Sequence, residues 1–245
     1  MRAEFEAVRR WLAEAERVAV LTGAGISHES GVPVFRGQDG LWRQYRPEDL
    51  ATPQAFARDP RLVWEWYNWR RSVVARAQPN PGHRALVELE ERTRDFTLVT
   101  QNVDGLHERA GSRRLLKLHG DLWTLRCLDC GRESVDRAVP LPELPPRCAC
   151  GGLLRPGVVW FGEPLPEEVL RQALEAAGRA QVFLVVGTSA VVQPAASLPL
   201  LARRAGARVV ELNLEETPLT GQVDASFLGK SGELLPRLVE AAVRS

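Results

Sequence analysis

The sequence is poor in several residue types, and each scarcity narrows what the protein can be. Its 245 residues include four cysteines, four histidines and only two lysines, Lys117 and Lys230. The formal net charge is +1, so no basic field would draw the chain to nucleic acid or to an anionic membrane. No apolar run reaches the roughly 18 to 20 residues that a membrane span needs, and the first residues form no apolar signal segment. We therefore expect a cytoplasmic globular protein with no membrane or direct nucleic-acid contact.

The few cysteines stand in two close pairs. Cys127 and Cys130 enclose two residues, Cys148 and Cys150 enclose one, and 17 residues separate the pairs. In a reducing compartment this pattern favours a metal over disulfides, and four thiolates can close a tetrahedral Zn²⁺ shell. Disulfides or unrelated buried thiols are the alternatives. A zinc ribbon can also belong to a nucleic-acid module, but basic residues do not cluster around this one.

Apolar periodicity predicts that strands and helices alternate over most of the chain. Such alternation is typical of a parallel sheet covered by helices on both faces. Two segments interrupt it: residues 35–95 carry no strand signal, and residues 121–157 are rich in Cys, Pro and Gly. We expect strands at 18–22, 96–100, 115–118, 182–186, 208–213 and 225–228, and helices at 3–16, 61–77, 83–92, 166–177, 194–204 and 232–243, with shorter turns or helices at 39–42 and 52–56.

This order predicts an α/β fold with a Rossmann-like parallel sheet and a smaller lobe. The lobe would combine the helical insertion with the zinc ribbon, and a ligand would bind between lobe and sheet, at the carboxyl ends of the strands. The expected boundaries are residues 1–35, 81–120 and 158–245 for the Rossmann-like domain, and 36–80 and 121–157 for the small lobe.

The first strand runs into a glycine turn, residues 22–27 (TGAGIS). Such a turn can present bare backbone N–H groups and a helix start to a pyrophosphate. Alone it is as often a plain tight turn, because the third glycine of the dinucleotide fingerprint is replaced by His28. Residues 30–37 (SGVPVFRG) then read as a loop that carries functional side chains.

Two further motifs also follow short apolar strands: residues 100–107 (TQNVDGLH) and 117–120 (KLHG). Asn102 and Asp104 could be ordinary turn formers. His119 lies where an imidazole could accept a proton, or it could be a satisfied strand-end histidine. No cysteine is free to act as a nucleophile, and no serine elbow or catalytic metal triad is present, so the chemistry must come from a cofactor.

Together these stretches resemble the sirtuins, the NAD-dependent protein-lysine deacylases, from Val18 to about Leu238. In sirtuins the acyl oxygen of the substrate lysine attacks the nicotinamide ribose of NAD and nicotinamide leaves. A histidine then deprotonates a ribose hydroxyl, which takes up the acyl group. The resemblance implies that His119 is this base, that acylated-lysine proteins or peptides are the substrates, and that a structural zinc is held by Cys127, Cys130, Cys148 and Cys150.

The resemblance also implies where NAD binds. Gln101, Asn102 and Asp104 would hold the nicotinamide and its ribose, Phe35 would cover the site, and Arg36 would order the loop and the phosphates. Residues 187–189 and 213–215, also at strand ends, match contacts to the adenosine half, and Ser231 matches an adenine contact. The implied cofactor contacts are Gly23, Ala24, Gly25, Ser27, Phe35, Arg36, Trp42, Gln101, Asn102, Val103, Asp104, Gly187, Thr188, Ser189, Asn213, Glu215 and Ser231.

One position departs from many deacetylases of this family, which have Asp where this chain has Val34. The helical insertion offers an explanation, because Tyr67 and Arg70 lie three residues apart on one helix face. A phenol and a guanidinium suit a carboxylate, and Tyr-x-x-Arg matches sirtuins that accept succinyl- or malonyl-lysine. A surface arginine beside a packing tyrosine is the alternative. Trp66, Trp69 and Val73 are expected in the core, and the expected substrate contacts are Tyr67, Arg70, Val159, Phe161 and Gly162.

Four activities remain in competition at this point. The first is an NAD-consuming deacylase that removes acetyl and also succinyl or malonyl groups. The second keeps the NAD site but transfers ADP-ribose to protein. The third is a zinc-ribbon binding module without chemistry, and the fourth is a dehydrogenase, which would recycle NAD rather than consume it.

Overall fold

The computed structural model describes residues 2–35 and 46–240. The sequence predictions for Arg36, for Trp42 and for the short turn at 39–42 lie outside the described residues.

The described residues form ten α-helices and nine strands. The helices are α1 (Arg2–Glu14), α2 (Ala24–His28), α3 (Pro47–Leu50), α4 (Pro53–Arg58), α5 (Pro60–Arg76), α6 (Pro81–Arg92), α7 (Leu106–Ala110), α8 (Glu167–Arg179), α9 (Leu198–Arg204) and α10 (Ser231–Val239). The strands are β1 (Arg17–Thr22), β2 (Asp95–Thr100), β3 (Leu115–Lys117), β4 (Gly120–Cys127), β5 (Glu133–Val135), β6 (Leu154–Val158), β7 (Val182–Val186), β8 (Arg208–Asn213) and β9 (Ala225–Leu228).

A six-stranded sheet in the order β3-β2-β1-β7-β8-β9 forms the larger part of the molecule, and all its pairs are parallel. Successive side chains of a strand point to opposite faces. On β1, Val18 and Val20 accordingly pack with α1, α6 and α10, whereas Ala19 and Leu21 pack with α8 and α9. The predicted parallel sheet with helices on both faces is confirmed.

The strand order reverses between β1 and β7, because β1 continues to β2 on one side and β7 to β8 on the other. Open parallel sheets bind ligands at such a point, outside the carboxyl ends of the strands. The fold alone therefore places a crevice at Gly23 and Gly187, which follow these two strands.

A second, antiparallel sheet in the order β5-β4-β6 packs against α4 and α5. Two buried side chains of α5 bond to its backbone: Trp64 Nε1 donates to the Leu154 carbonyl at 2.8 Å, and Arg71 Nη1 donates to the Leu122 carbonyl at 3.1 Å. The helical insertion and the cysteine-rich segment thus share one apolar cluster. The exact domain boundaries stay a prediction.

Several local predictions were wrong. The sequence did not indicate β6, because Pro156 and Gly157 disfavour strands, yet β6 lies at the edge of its sheet, where a proline is tolerated. Trp69, expected in the core, is 42% exposed. The predicted helix at 194–204 begins instead as a 3₁₀ turn, Ala195–Ser197, followed by α9.

Among the described residues, none of the helices combines the length and the apolar character that crossing a membrane requires.

Candidate active site

A cavity of about 540 Å³ lies between the two sheets, at the carboxyl ends of the parallel strands. This volume is in the range of small-molecule and cofactor sites. The residues that follow β1, β2, β7 and β8 form one wall, and Tyr67 of α5 and Trp160, which follows β6, lie at the other. Predicted site residues that line it are Gly23, Ala24, Gly25, Phe35, Tyr67, Arg70, Gln101, Asn102, Val103, His119, Val159, Phe161, Gly162, Gly187, Thr188, Ser189, Asn213 and Glu215.

The glycine turn after β1 interlocks with the turn after β7. Gly23 N donates to the Val186 carbonyl at 3.0 Å, and Gly25 N donates to the Gly187 carbonyl at 2.8 Å. A Cβ at Gly23 or Gly25 would lie 2.7 Å from atoms of the opposite turn, so both glycines are required for this close approach. The two amides are bonded within the protein, contrary to the expectation of bare N–H groups at both positions.

The turn after β2 is fixed by its own side chains. Gln101 Nε2 donates to Thr188 Oγ1 at 2.9 Å, and Asn102 Nδ2 donates to the Gly23 carbonyl at 3.0 Å. Asp104 Oδ1 accepts from Leu106 N at 2.8 Å at the start of α7, so the turn-forming role that the sequence allowed is present. Burial raises the pKa of the Asp104 carboxyl, while its hydrogen bonds with Leu106 and Ser27 oppose the rise.

His119 lies between β3 and β4, half-buried at the cavity wall. Its Nδ1 is 3.0 Å from the Gln101 carbonyl oxygen, which can only accept, so Nδ1 carries the hydrogen and Nε2 has a free lone pair. Burial lowers the pKa of the imidazole, and the bond to Gln101 acts against this. Burial thus favours the neutral ring, whose Nε2 can accept a proton.

The chain can turn at His119 because the next residue is Gly120, which has a φ of 79° and whose Cβ would lie 2.2 Å from the Gly157 oxygen. The Val159 amide donates back to the His119 carbonyl at 2.9 Å. These contacts join the catalytic candidate to the segment 158–163, where the predicted substrate contacts are found.

At the small-lobe side of the cavity, Tyr67 and Arg70 lie one turn apart on α5, 4% exposed each. Arg70 Cζ is 4.2 Å from the centroid of the Phe35 ring and 5.2 Å from that of Trp66. Its Nη1 is buried and has no hydrogen-bond partner among the described residues. Burial lowers the pKa of Arg70 to about 10 and raises that of Tyr67 to about 12, so at pH 7 both remain donors.

Three predicted contacts do not line the cavity. Ser27 is fully buried, 3.4 Å from His83 Nε2, and Asp104 lies beneath the surface. Ser231 donates to Glu29 Oε1 at 2.9 Å at the start of α10. Its role as an adenine contact stays a prediction.

The sequence missed several lining residues. His28 is exposed and lines the cavity. The cavity is also lined by Leu214, Glu216, Thr217 and Pro218, which follow β8. The available signal for the last four was their position directly after a buried strand, at the same sheet edge as the recognised motifs. Glu211 holds this segment in place. It is 1% exposed, and its carboxylate accepts hydrogen bonds from the hydroxyls of Thr217, Thr220 and Ser226.

The four cysteines converge at the far end of β4. Their sulfur atoms all lie within 4.8 Å of one another, and the separations of the Cys127–Cys150 and Cys130–Cys148 pairs are 3.5 and 3.8 Å. A tetrahedral zinc with Zn–S bonds of about 2.3 Å needs sulfur separations of about 3.8 Å. All four are free thiols rather than disulfides. The cluster therefore fits a structural Zn²⁺ site.

Three comparisons with known proteins agree with this geometry. A sequence model of the Sir2 family matches residues 23–194. The NAD-dependent protein deacylase of Aquifex aeolicus is 56% identical over 224 residues, which cover 91% of this chain and 94% of the relative. A Sir2 homologue solved with NAD is 53% identical with a TM-score of 0.90, over 96% of this chain and 92% of that one. Sir2Af2 bound to a myristoylated histone peptide is 38% identical with a TM-score of 0.80, over 98% and 96%.

Proposed function

The chain belongs to the Sir2 family, and from that premise we infer that it is an NAD-dependent protein-lysine deacylase. It removes acyl groups from lysine side chains of proteins and releases nicotinamide and O-acyl-ADP-ribose. The observation that carries this inference is His119 at the wall of the cavity, with its Nδ1 hydrogen held by the Gln101 carbonyl and its Nε2 left to accept a proton.

The cavity fits NAD in size and in lining. The turns after β1, β2, β7 and β8 provide backbone groups and the polar side chains of Gln101, Asn102, Ser189 and Asn213 along one wall. These side chains suit ribose hydroxyls and an amide, and we propose that the predicted cofactor contacts lining the cavity hold NAD there. When bound, NAD supplies the ribose carbon from which nicotinamide leaves and the hydroxyl that takes up the acyl group.

The protein's own contribution is to position the groups and to move one proton. His119 Nε2 accepts the proton of a ribose hydroxyl, and the Gln101 carbonyl stabilises the resulting imidazolium through Nδ1–H. The segment 158–163 and Phe35 enclose the reacting end and limit access of water. Acylated-lysine peptides of proteins are the proposed substrates, entering beside Val159, Phe161 and Gly162.

Replacing the base tests this function. His119→Ala should reduce acyl removal at least a hundredfold, because general-base catalysis contributes about 10² to 10⁴ in rate. NAD affinity, measured by calorimetry, should change little because the cavity wall stays intact. His28→Ala is the matched control, since it removes another cavity imidazole and should retain most turnover. Near-wild-type turnover in His119→Ala would remove His119 from the mechanism.

We further propose that acyl groups with a distal carboxylate, succinyl or malonyl, are accepted along with acetyl. A buried guanidinium is costly without an anionic partner. Nη1 of Arg70, which no described residue accepts from, lies one helical turn from the phenol of Tyr67. A carboxylate brought in by the substrate would bind both. The buried Nη1, left without an acceptor among the described residues, supports this proposal.

A further inference from the structure

We propose that Trp160 is a positioning residue for acyl selectivity: its indole N–H fixes Tyr67 as a hydrogen-bond donor toward the acyl group. This inference rests on the proposed binding of an acyl carboxylate by Tyr67 and Arg70. Trp160 lies in the segment 158–163, next to Tyr67 of α5 at the cavity wall, and had no assigned role in the sequence.

The first step is the direction of one hydrogen bond. Trp160 Nε1 donates to Tyr67 Oη at 2.9 Å, and both side chains are buried. An indole nitrogen can only donate, so the phenol oxygen must accept here. The phenol's own hydrogen then points away from Trp160, and no described residue accepts it. A ligand atom that meets Tyr67 is therefore offered a donor, which suits a carboxylate oxygen.

Trp160 is itself fixed by contacts with Arg155, Phe56 and Glu163. The guanidinium of Arg155 lies over its ring, with Cζ 3.5 Å from the centroid, and Phe56 packs at 5.3 Å. Glu163 pairs with Arg155 through both carboxylate oxygens, at 2.5 and 2.9 Å, and accepts from the Trp160 amide at 2.8 Å. Because the indole cannot turn away without breaking this packing, it directs Tyr67 persistently.

The residues next to Trp160 in the chain connect its indole to the proposed peptide site. The neighbours of Trp160 in the chain, Val159 and Phe161, are proposed peptide contacts, and their amides donate to the His119 and Ala51 carbonyls at 2.9 Å each. One short segment thus carries the peptide contacts on one side and the group that orients Tyr67 on the other. Selectivity for the acyl group is consequently set partly by a residue outside the Tyr-x-x-Arg pair.

The test compares kcat/KM on succinyl- and acetyl-lysine peptides of one sequence. Trp160→Phe removes the N–H donor, and benzothienylalanine at position 160 removes it while keeping the bicyclic shape, in case the smaller ring impairs folding. The succinyl-to-acetyl ratio should fall about two- to tenfold, the value of one neutral hydrogen bond. Trp64→Phe is the matched control: it removes a buried indole N–H bonded to the Leu154 carbonyl, and should lower stability without moving the ratio.

A double-mutant cycle decides whether Trp160 acts through Tyr67. In a Tyr67→Phe background, either replacement of Trp160 should leave the ratio unchanged. An equal fall in both backgrounds, or no fall in the wild-type background while Arg70→Met still shifts the ratio, would overturn the role of Trp160. If Arg70→Met also leaves the ratio unchanged, the carboxylate proposal itself fails, and this inference fails with it.

Discussion

Arg70 is the single residue whose environment most restricts what the cavity can bind. Arg70 is 4% exposed, and its guanidinium remains charged at pH 7, although burial lowers its pKa to about 10. The aromatic rings of Phe35 and Trp66 offer it cation–π contact, but no described residue provides Nη1 with a hydrogen-bond acceptor. Aromatic faces leave the donor unsatisfied, so a carboxylate from the substrate would gain a charge-assisted bond.

Arg70→Met should therefore lower kcat/KM on a succinyl-lysine peptide by roughly ten- to a hundredfold, because a hydrogen bond to a charged group contributes about 1.5 to 3 kcal/mol. An acetyl group has no carboxylate, so kcat/KM on the acetyl peptide should change much less or improve. Tyr67→Phe should act in the same direction but more weakly. Steady-state kinetics on the two peptides provide the measurement.

The neighbouring Arg71 is a suitable control for this prediction. It is also buried on α5, but it donates to the backbone carbonyls of Leu122, Asp136 and Ala138. Arg71→Met should lower the melting temperature and leave the succinyl-to-acetyl ratio intact. Equal losses on both peptides for Arg70→Met would show that Arg70 holds the fold or the peptide rather than the acyl group.

For individual residues, the sequence predicted well which side chains face the cavity. It predicted less well which partners those side chains bond to. His119 could be placed because a strand end sets its position, yet its Nδ1 bond to Gln101 depends on two strands meeting in space. The same limit applies to Ser231, whose hydroxyl binds Glu29 from a distant part of the chain. Trp69 was misplaced because helical periodicity does not reveal which face of α5 the second sheet covers.

Among the elements, the segment that follows β8 contributes an unexpected part of the site. Residues 214–218 line the cavity, and Glu211 holds them from below by accepting from Thr217, Thr220 and Ser226. A buried carboxylate that accepts three hydroxyl hydrogens fixes the segment in one conformation. The segment 214–218 is therefore positioned by Glu211, a residue that does not itself line the cavity.

Glu211→Gln should weaken NAD binding several-fold, because one carboxylate oxygen is replaced by an amide that donates instead of accepting. Calorimetry would show a raised Kd for NAD, and kinetics a raised KM for NAD with the acyl preference unchanged. Asp224→Asn is the matched control, since Asp224 accepts from the Val209 amide at the same sheet but does not line the cavity. Unchanged NAD affinity in a folded Glu211→Gln protein would contradict this role.

The six parallel strands could be predicted because each contains a short apolar run, and the central strands β1 and β7 are buried on both faces. The antiparallel sheet could not, for β5 is a three-residue exposed strand and β6 contains Pro156 and Gly157. Gly157 allows Thr124 of β4 to pack closely, because a Cβ at position 157 would lie only 2.7 Å from the Thr124 side chain. Whether these segments form strands depends on close packing between them, and the sequence pattern does not reveal that packing.

On the scale of the whole molecule, β4 separates the chemistry from the zinc site. Gly120, beside His119, begins the strand and Cys127 ends it. The seven steps between these two residues, at about 3.4 Å each, place the two ends at most roughly 24 Å apart. Four thiolates leave no open coordination position for a reaction. The metal site would therefore stabilise the small lobe rather than take part in acyl transfer.

Chelation of zinc, or Cys127→Ser, should lower the melting temperature, and activity should fall only in proportion to the folded fraction. Thermal unfolding and activity measured on the same samples would show this, and adding Zn²⁺ back to the chelated wild-type protein should restore both. A metal-free protein with an unchanged melting temperature would argue against a stabilising zinc. A metal-free protein that is folded but inactive would argue for a direct part in the reaction.

The most direct test of the proposed deacylase activity measures nicotinamide release and peptide mass together, with NAD and an acyl-lysine peptide each present or omitted. The central claim is that one cavity couples consumption of NAD to removal of the acyl group. We expect nicotinamide to appear only when both are present, in a one-to-one ratio to deacylated peptide. Nicotinamide release without peptide, or ADP-ribose attached to protein while the acyl group stays on lysine, would contradict the claim.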